Sequence, residues 1–123
     1  MSSVKVLVAD LFSEDGLKQL EKAGLIVIYE KSLSDDTLVK AMDEQRPNIL
    51  VVRSTKVTAA MIDANPSLQM VVRAGAGYDT IDVLHCSKRG IFVTNCPGKN
   101  SHAVAELTLG LILAIDRRIP EGV

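Results

Sequence analysis

A doubly wound parallel α/β fold is what this 123-residue sequence predicts. Two observations carry it: five short runs rich in Val, Ile and Leu recur at nearly even spacing, and a helix signal lies between each run and the next. Most of the runs are continuous rather than alternating in polarity, as strands covered on both faces are. Right-handed crossovers between such strands lead most simply to a five-stranded sheet of flavodoxin-like order.

The first run, Val4 to Ala9, precedes Ser13, which can cap a helix that reaches about Ala23 and is stopped by Gly24. The second run, Leu25 to Tyr29, leads to Ser34, a cap for a helix that must end before Pro47. After the third run, Asn48 to Arg53, Thr58 opens a short helix closed by Asn65-Pro66. The fourth run, Leu68 to Arg73, is followed by a glycine turn and a helix expected to open at Asp79 and end at Gly90. The fifth run spans Gly90 to Thr94.

From Ser101 to about Arg118 the rhythm changes. Val104, Leu107, Leu109, Leu111, Ile112, Leu113 and Ile115 cover too much of a helix circumference for one buried stripe. Such a helix calls for a second partner, so residues 1–100 read as one domain and 101–123 as an interdomain helix with the start of a linker. Its apolar surface also predicts self-association into a homo-oligomer through this helix.

Composition narrows the function classes. A net charge of -1, with 47% hydrophobic and 24% charged residues, argues for a globular domain and against a nucleic-acid surface. The amino terminus lacks a secretion signal, and the apolar segment from Leu107 to Ile115 is too short to span a bilayer. Cys86 and Cys96 form neither a C-x-x-C pair nor a metal cluster with the two histidines, and read as reduced thiols of a cytoplasmic protein without a metal site.

Ligands of an open parallel sheet bind outside the carboxyl ends of the strands. Those ends carry Ala9-Asp10, Arg53-Ser54-Thr55, Arg73-Ala74-Gly75-Ala76-Gly77 and Asn95-Cys96-Pro97. Arginines, hydroxyls and a glycine turn favour an anion. The planar fork of Arg53 suits a carboxylate or phosphate, assisted by Ser54 or Thr55. Arg73 can join that site or pair with Asp79 or Asp10. Asn100-Ser101, at the start of the long helix, can meet an anion or act only as a cap. Neither His85 nor His102 has the neighbours of a catalytic base.

The segment VVRAGAGYDTID resembles a dinucleotide loop, but the third glycine of that fingerprint is Thr80 here, and no acidic residue closes the next strand near Asn95. Gly75, Ala76 and Gly77 can still turn successive backbone N–H groups toward an anion. A phosphorylation receiver would need an aspartate where Arg53 stands. A flavodoxin would need a phosphate loop where Asp10, Glu14 and Asp15 stand.

The stretches VVRSTKVTAAMID, LQMVVRAGAGYDTIDV, GIFVTNCPGKNSHAVAELTLGLILA and RRIPE, in this order, resemble the D-isomer-specific 2-hydroxyacid dehydrogenases, most of all their phosphoglycerate-oxidising branch. The resemblance implies a flavodoxin-like substrate-binding domain interrupted by a Rossmann domain that carries NAD, with the helix from Ser101 to Arg118 crossing between the two. It implies a small 2-hydroxy acid or phosphoglycerate as ligand. Arg53 and Ser54 would contact its acidic groups, with Arg73 nearby. The backbone of Gly75, Ala76 and Gly77 would hold its carboxylate, and Asn100 would face the same cleft. Ala76 would touch only the edge of the nicotinamide, lacking the hydroxyl that a threonine often supplies there.

The family's dinucleotide loop, catalytic arginine, supporting glutamate and general-acid/base histidine all follow the position of Val123, so no catalytic residue is expected within the chain, and the chain alone is expected to be inactive. A non-catalytic binding or assembly module of the same fold, corepressor-like, is the alternative.

Overall fold

The computed structural model describes residues 4–10, 12–74, 80–95 and 104–112. Five parallel strands, β1 (Lys5–Val8), β2 (Ile26–Tyr29), β3 (Ile49–Val52), β4 (Met70–Arg73) and β5 (Phe92–Asn95), form one sheet in the order β2-β1-β3-β4-β5. This is the predicted flavodoxin-like order. Four helices alternate with them: α1 (Glu14–Lys22), α2 (Asp35–Gln45), α3 (Ala59–Asp63) and α4 (Val83–Lys88). Residues 104–112 are helical as well and are called α5 below.

Side chains along each strand alternate between two cores, as the pleat requires. Leu7, Leu50, Val52 and Val71 point to a cluster completed by Leu38 and Met42 of α2, Met61 and Ile62 of α3, and Cys86 of α4. Val6, Val8, Ile49, Val51, Met70 and Val72 point the other way, to Leu20 of α1 and to Val104, Ala105 and Ile112 of α5. The sheet is thus covered on both faces, which is why its central strands read as unbroken apolar runs. The edge strands β2 and β5 are less covered, and Ile26 and Phe92 are exposed.

Most helix boundaries follow the local signals. The Ser13 hydroxyl accepts from the Gly16 N–H at 3.1 Å, and Gly24, at φ 94°, ends the turn after α1. At Ser34 the contact comes from the other partner: Thr37 Oγ1 accepts from the Ser34 N–H at 2.9 Å. Arg46 closes α2 with φ 47°, a left-handed conformation that breaks the helix immediately before Pro47.

The fourth helix starts later than expected. Its cap is Asp82, whose Oδ1 accepts from the His85 N–H at 3.0 Å. Asp79 lies outside the described residues. The delay has a tertiary cause: Val57 and Ile81 form a parallel bridge, with Val57 N–H donating to Thr80 O at 2.8 Å and Asp82 N–H to Val57 O at 3.0 Å. Ile81 is held in that bridge, with Thr80 and Asp82 bonded to Val57 on either side, so the helix cannot begin before Val83. The fifth strand likewise starts at Phe92, because Gly90, at φ 70°, and Ile91 finish the α4 turn.

In α5 the buried side chains are Val104, Ala105, Thr108 and Ile112, all against the chain's own sheet, and Leu107, Leu109 and Leu111 are half-buried. The apolar girth that calls for a partner is therefore met in part within this domain. The buried Thr108 hydroxyl donates to Val104 O at 2.7 Å, so no polar group is stranded there.

At the amino edge of the sheet two asparagines tie the chain together. Asn48 Oδ1 accepts from the Lys5 N–H at 3.0 Å, and its backbone carbonyl accepts from Gln69 and Met70. Asn65, fully buried, donates to Pro47 O at 2.7 Å and accepts from the Ser67 N–H at 3.0 Å. Truncating Asn65 strands a buried carbonyl and N–H. Asn65→Ala is expected to cost about 2–3 kcal/mol of stability, seen in urea melts as a lower midpoint with an unchanged slope; a loss below about 0.5 kcal/mol would contradict this role.

Candidate functional site

A parallel sheet brings all its strand exits to one edge, and the strand order reverses direction between β1 and β3. Here β1 exits into Ala9-Asp10 and β3 into Arg53-Ser54-Thr55. Register places Val8 beside Val51 and Val52 beside Arg73, and Arg73 beside Asn95. Asp10, Arg53, Arg73 and Asn95 therefore share one end of the sheet. The side chains of Arg53 and Ser54 are exposed there, and that of Arg73 is half-buried.

The contact that organises this edge was not anticipated. Asp10 Oδ2 accepts from the backbone N–H groups of Arg53 at 2.7 Å, Ser54 at 3.1 Å and Thr55 at 3.2 Å, and from the Thr55 hydroxyl at 2.8 Å. Successive N–H groups turned to one point make an anion-binding nest, and here an internal carboxylate fills it. The Thr55 hydroxyl is thereby directed at Asp10, and what this loop presents outward is the Arg53 guanidinium and Ser54.

Arg73 is also engaged. Its Nε donates to Thr80 Oγ1 at 3.0 Å, and Asp79, one of the two aspartates considered from sequence, lies outside the described residues. Thr80 is the residue standing where a dinucleotide fingerprint has its third glycine, and its hydroxyl is tied to the last residue of β4. Gly75, Ala76, Gly77 and Asn100 lie outside the described residues, as do Cys96 and His102.

Among the described residues two titrating groups are perturbed, and both sit away from the strand exits. Asp63, at the end of α3, receives His85 Nε2 and Arg89 Nη1 on the same oxygen, each at 2.7 Å. The hydrogen bond with His85 comes first in holding its carboxyl below the ordinary 3.8; desolvation opposes this, and the charges of His85 and Arg89 add to it. His85 is thus tied into a surface cluster between α3 and α4. The Cys86 thiol is buried, and burial, then Asp82, pushes its pKa up, which suits a packing residue and not a nucleophile. Among the described residues, no group of three or more His, Cys, Asp or Glu is placed to hold a metal ion, and no helix is long and apolar enough to cross a membrane.

Comparison with known proteins identifies the fold's lineage. Residues 6–114 match the profile of the D-isomer specific 2-hydroxyacid dehydrogenase catalytic domain. The chain belongs to this dehydrogenase family. It is 43% identical over 120 residues to the D-3-phosphoglycerate dehydrogenase of Methanocaldococcus jannaschii, an alignment covering 97% of this chain and 22% of that protein. The crystal structure of the NAD+-bound 3-phosphoglycerate dehydrogenase of Entamoeba histolytica superimposes with a TM-score of 0.69 at 35% identity, over 90% of this chain and 38% of that one. An NADPH-dependent glyoxylate/hydroxypyruvate reductase of Sinorhizobium meliloti, solved with NADP and malonate, gives a TM-score of 0.63 at 32% identity, over 78% of this chain and 29% of that one. The chain thus spans about a fifth of the length of the curated relative.

A dehydrogenase of this family calls for a nicotinamide cofactor, and the exit of β1 tests whether the described residues fit one. A dinucleotide needs glycines and free N–H groups there. Instead Asp10 follows β1, Ser13 closes the start of α1, and Glu14 and Asp15 occupy its first turn. These residues do not fit a pyrophosphate.

The Asp63 cluster generates a pH prediction. A carboxyl depressed in the folded state contributes stability that is full above the unfolded value and is lost as pH falls through the folded one. The stability difference between the native chain and Asp63→Asn is therefore expected to be present at about pH 5 and to vanish toward about pH 2, followed by thermal melts. A difference that persists undiminished at the acid end would refute the assignment.

Proposed function

We propose that this chain is the substrate-binding portion of an NAD-dependent D-2-hydroxyacid dehydrogenase of the phosphoglycerate type, which oxidises 3-phosphoglycerate to 3-phosphohydroxypyruvate in serine biosynthesis. The observation that carries it is the placement of Arg53 and Ser54, exposed at the β1/β3 reversal on a loop whose backbone is already fixed. In this reading the Arg53 fork takes an acidic group of the ligand through paired N–H donors, with Ser54 adding a hydroxyl. Arg73 sets the glycine turn through Thr80, and the backbone of Gly75, Ala76 and Gly77 receives the carboxylate. Asn100 closes the cleft.

The likeness to enzymes named for phosphoglycerate supports the substrate class. The cofactor meets this chain at most at Ala76, and a separate Rossmann domain holds it. The chain binds and orients; it supplies no general acid or base, and no metal takes part. The helix from Ser101 to Arg118 crosses to the cofactor domain and forms a homo-oligomer contact, and the protein is cytoplasmic.

Calorimetry with 3-phosphoglycerate tests this. The native chain is expected to bind, and Arg53→Ala to weaken binding by at least about tenfold, the scale of a charged hydrogen bond, with little change in melting temperature because the side chain is exposed. Mixed with NAD and phosphoglycerate, the chain alone is expected to form no NADH. Equal binding by Arg53→Ala, or steady NADH formation by the native chain, would refute the reading.

A further inference from the structure

Neither the family match nor any motif gives Asp10 a task, yet it makes four of the hydrogen bonds at the strand exits. Three run from consecutive amides, those of Arg53, Ser54 and Thr55, and one from the Thr55 hydroxyl, all to Oδ2. The contact spans 43 to 45 residues of sequence, so it forms only when β1 and β3 lie side by side. Directly beyond it, Val57 is paired with Thr80 and Asp82, and Thr80 with Arg73. The short chain step through Lys56 thus joins the loop held by Asp10 to the pairing of Val57 with Thr80 and Asp82, and so to Arg73.

We infer that Asp10 is a positioning residue: its carboxylate presets the backbone of Arg53 and Ser54 for the ligand's acidic group without touching the ligand. Three N–H groups in a row on a strand exit would otherwise face water or the ligand itself. An internal acceptor holds them in one arrangement before the ligand arrives, which lowers the ordering cost of binding. The same bonds direct four donors at the carboxylate, so its charge is opposed within the protein and an anionic ligand meets Arg53 in its place. The part concerning the ligand rests on the function proposed above; the part concerning the loop does not.

Two arms separate these parts. Hydrogen exchange in Asp10→Ala is expected to show protection at Arg53, Ser54 and Thr55 reduced about tenfold or more, while Leu50 and Val51 within β3 keep theirs. Asp10→Asn, whose carbonyl oxygen can still accept, is expected to lose less. In calorimetry with 3-phosphoglycerate, Asp10→Ala is expected to raise Kd about tenfold and Asp10→Asn to recover most of that loss. Asp63→Ala, which breaks a surface cluster remote from the cleft, serves as the control and leaves Kd unchanged.

Unchanged protection at residues 53–55 in Asp10→Ala would overturn the inference, as would an equal rise of Kd in Asp63→Ala. If Asp10→Ala does not fold, Thr55→Val removes only the hydroxyl donor and carries the exchange measurement, with lowered protection at Thr55 as the supporting result and unchanged protection as the contrary one. If the native chain binds no phosphoglycerate, the functional reading fails and the ligand part of this inference fails with it, and the exchange arm still decides whether Asp10 holds the loop.

Discussion

One carboxylate oxygen, Oδ2 of Asp10, closes the junction at which the strand order of this domain reverses. Parallel strands pair through evenly spaced bonds, but where a strand ends its next amides must find another acceptor or stay in water. After β3 three such amides come in succession, and Asp10, two residues past the end of β1, takes all of them. The arrangement needs the β1–β3 register, a bend at Arg53, and an acid in place of the glycine that a dinucleotide loop would have there. It accounts at once for an exposed but ordered Arg53-Ser54 pair and for the lack of a pyrophosphate site after β1.

The opposite edge shows the complementary solution. Asn48 and Asn65 satisfy the backbone between strand entrances with neutral amides, in a region where Asn65 has no exposed surface. Neutral donors and acceptors suit an edge that is only structural, because a buried charge would need a partner as well as hydrogen bonds. Between the edges the sheet alternates Val, Ile and Leu toward two apolar layers. The sheet is therefore apolar in its middle, tied by asparagine amides at its amino edge and by the Asp10 carboxylate at its carboxyl edge, and the function proposed above places ligand recognition at the carboxyl edge.

Local chemistry made much of this legible in the sequence. Apolar runs located all five strands, and Ser13, Gly24, Pro47, Thr58 and Gly90 placed helix ends, since each acts within a turn of its own position. Reading the strand ends together grouped Arg53, Ser54 and Arg73, and the structure has them at one end of the sheet. What escaped was non-local. The start of α4 moved from Asp79 to Asp82 because Ile81 pairs with Val57 across the fold, and no capping signal records that. Arg73 Nε donates to Thr80, a contact no local signal records, and Thr55 turned inward to Asp10. The His85 ring, plain in sequence, found Asp63 22 residues away.

Asp10 itself was visible in the sequence, where it counted as a repulsive charge near any phosphate. That sign holds for a bare carboxylate. It changes when three N–H dipoles and a hydroxyl converge on one oxygen, because the donors oppose the charge at close range while an approaching ligand sees both from farther off. An acid can then sit within an anion site and strengthen it, provided that it orients a cation whose attraction exceeds its own residual repulsion. In the function proposed above Arg53 is that cation, and its guanidinium would gain from a fixed backbone more than a lysine would, because paired, planar hydrogen bonds tolerate less angular error than a point charge. On that reading the recognition chemistry of this edge would follow from geometry as well as from charge: an arginine fork on a loop whose amides an aspartate holds.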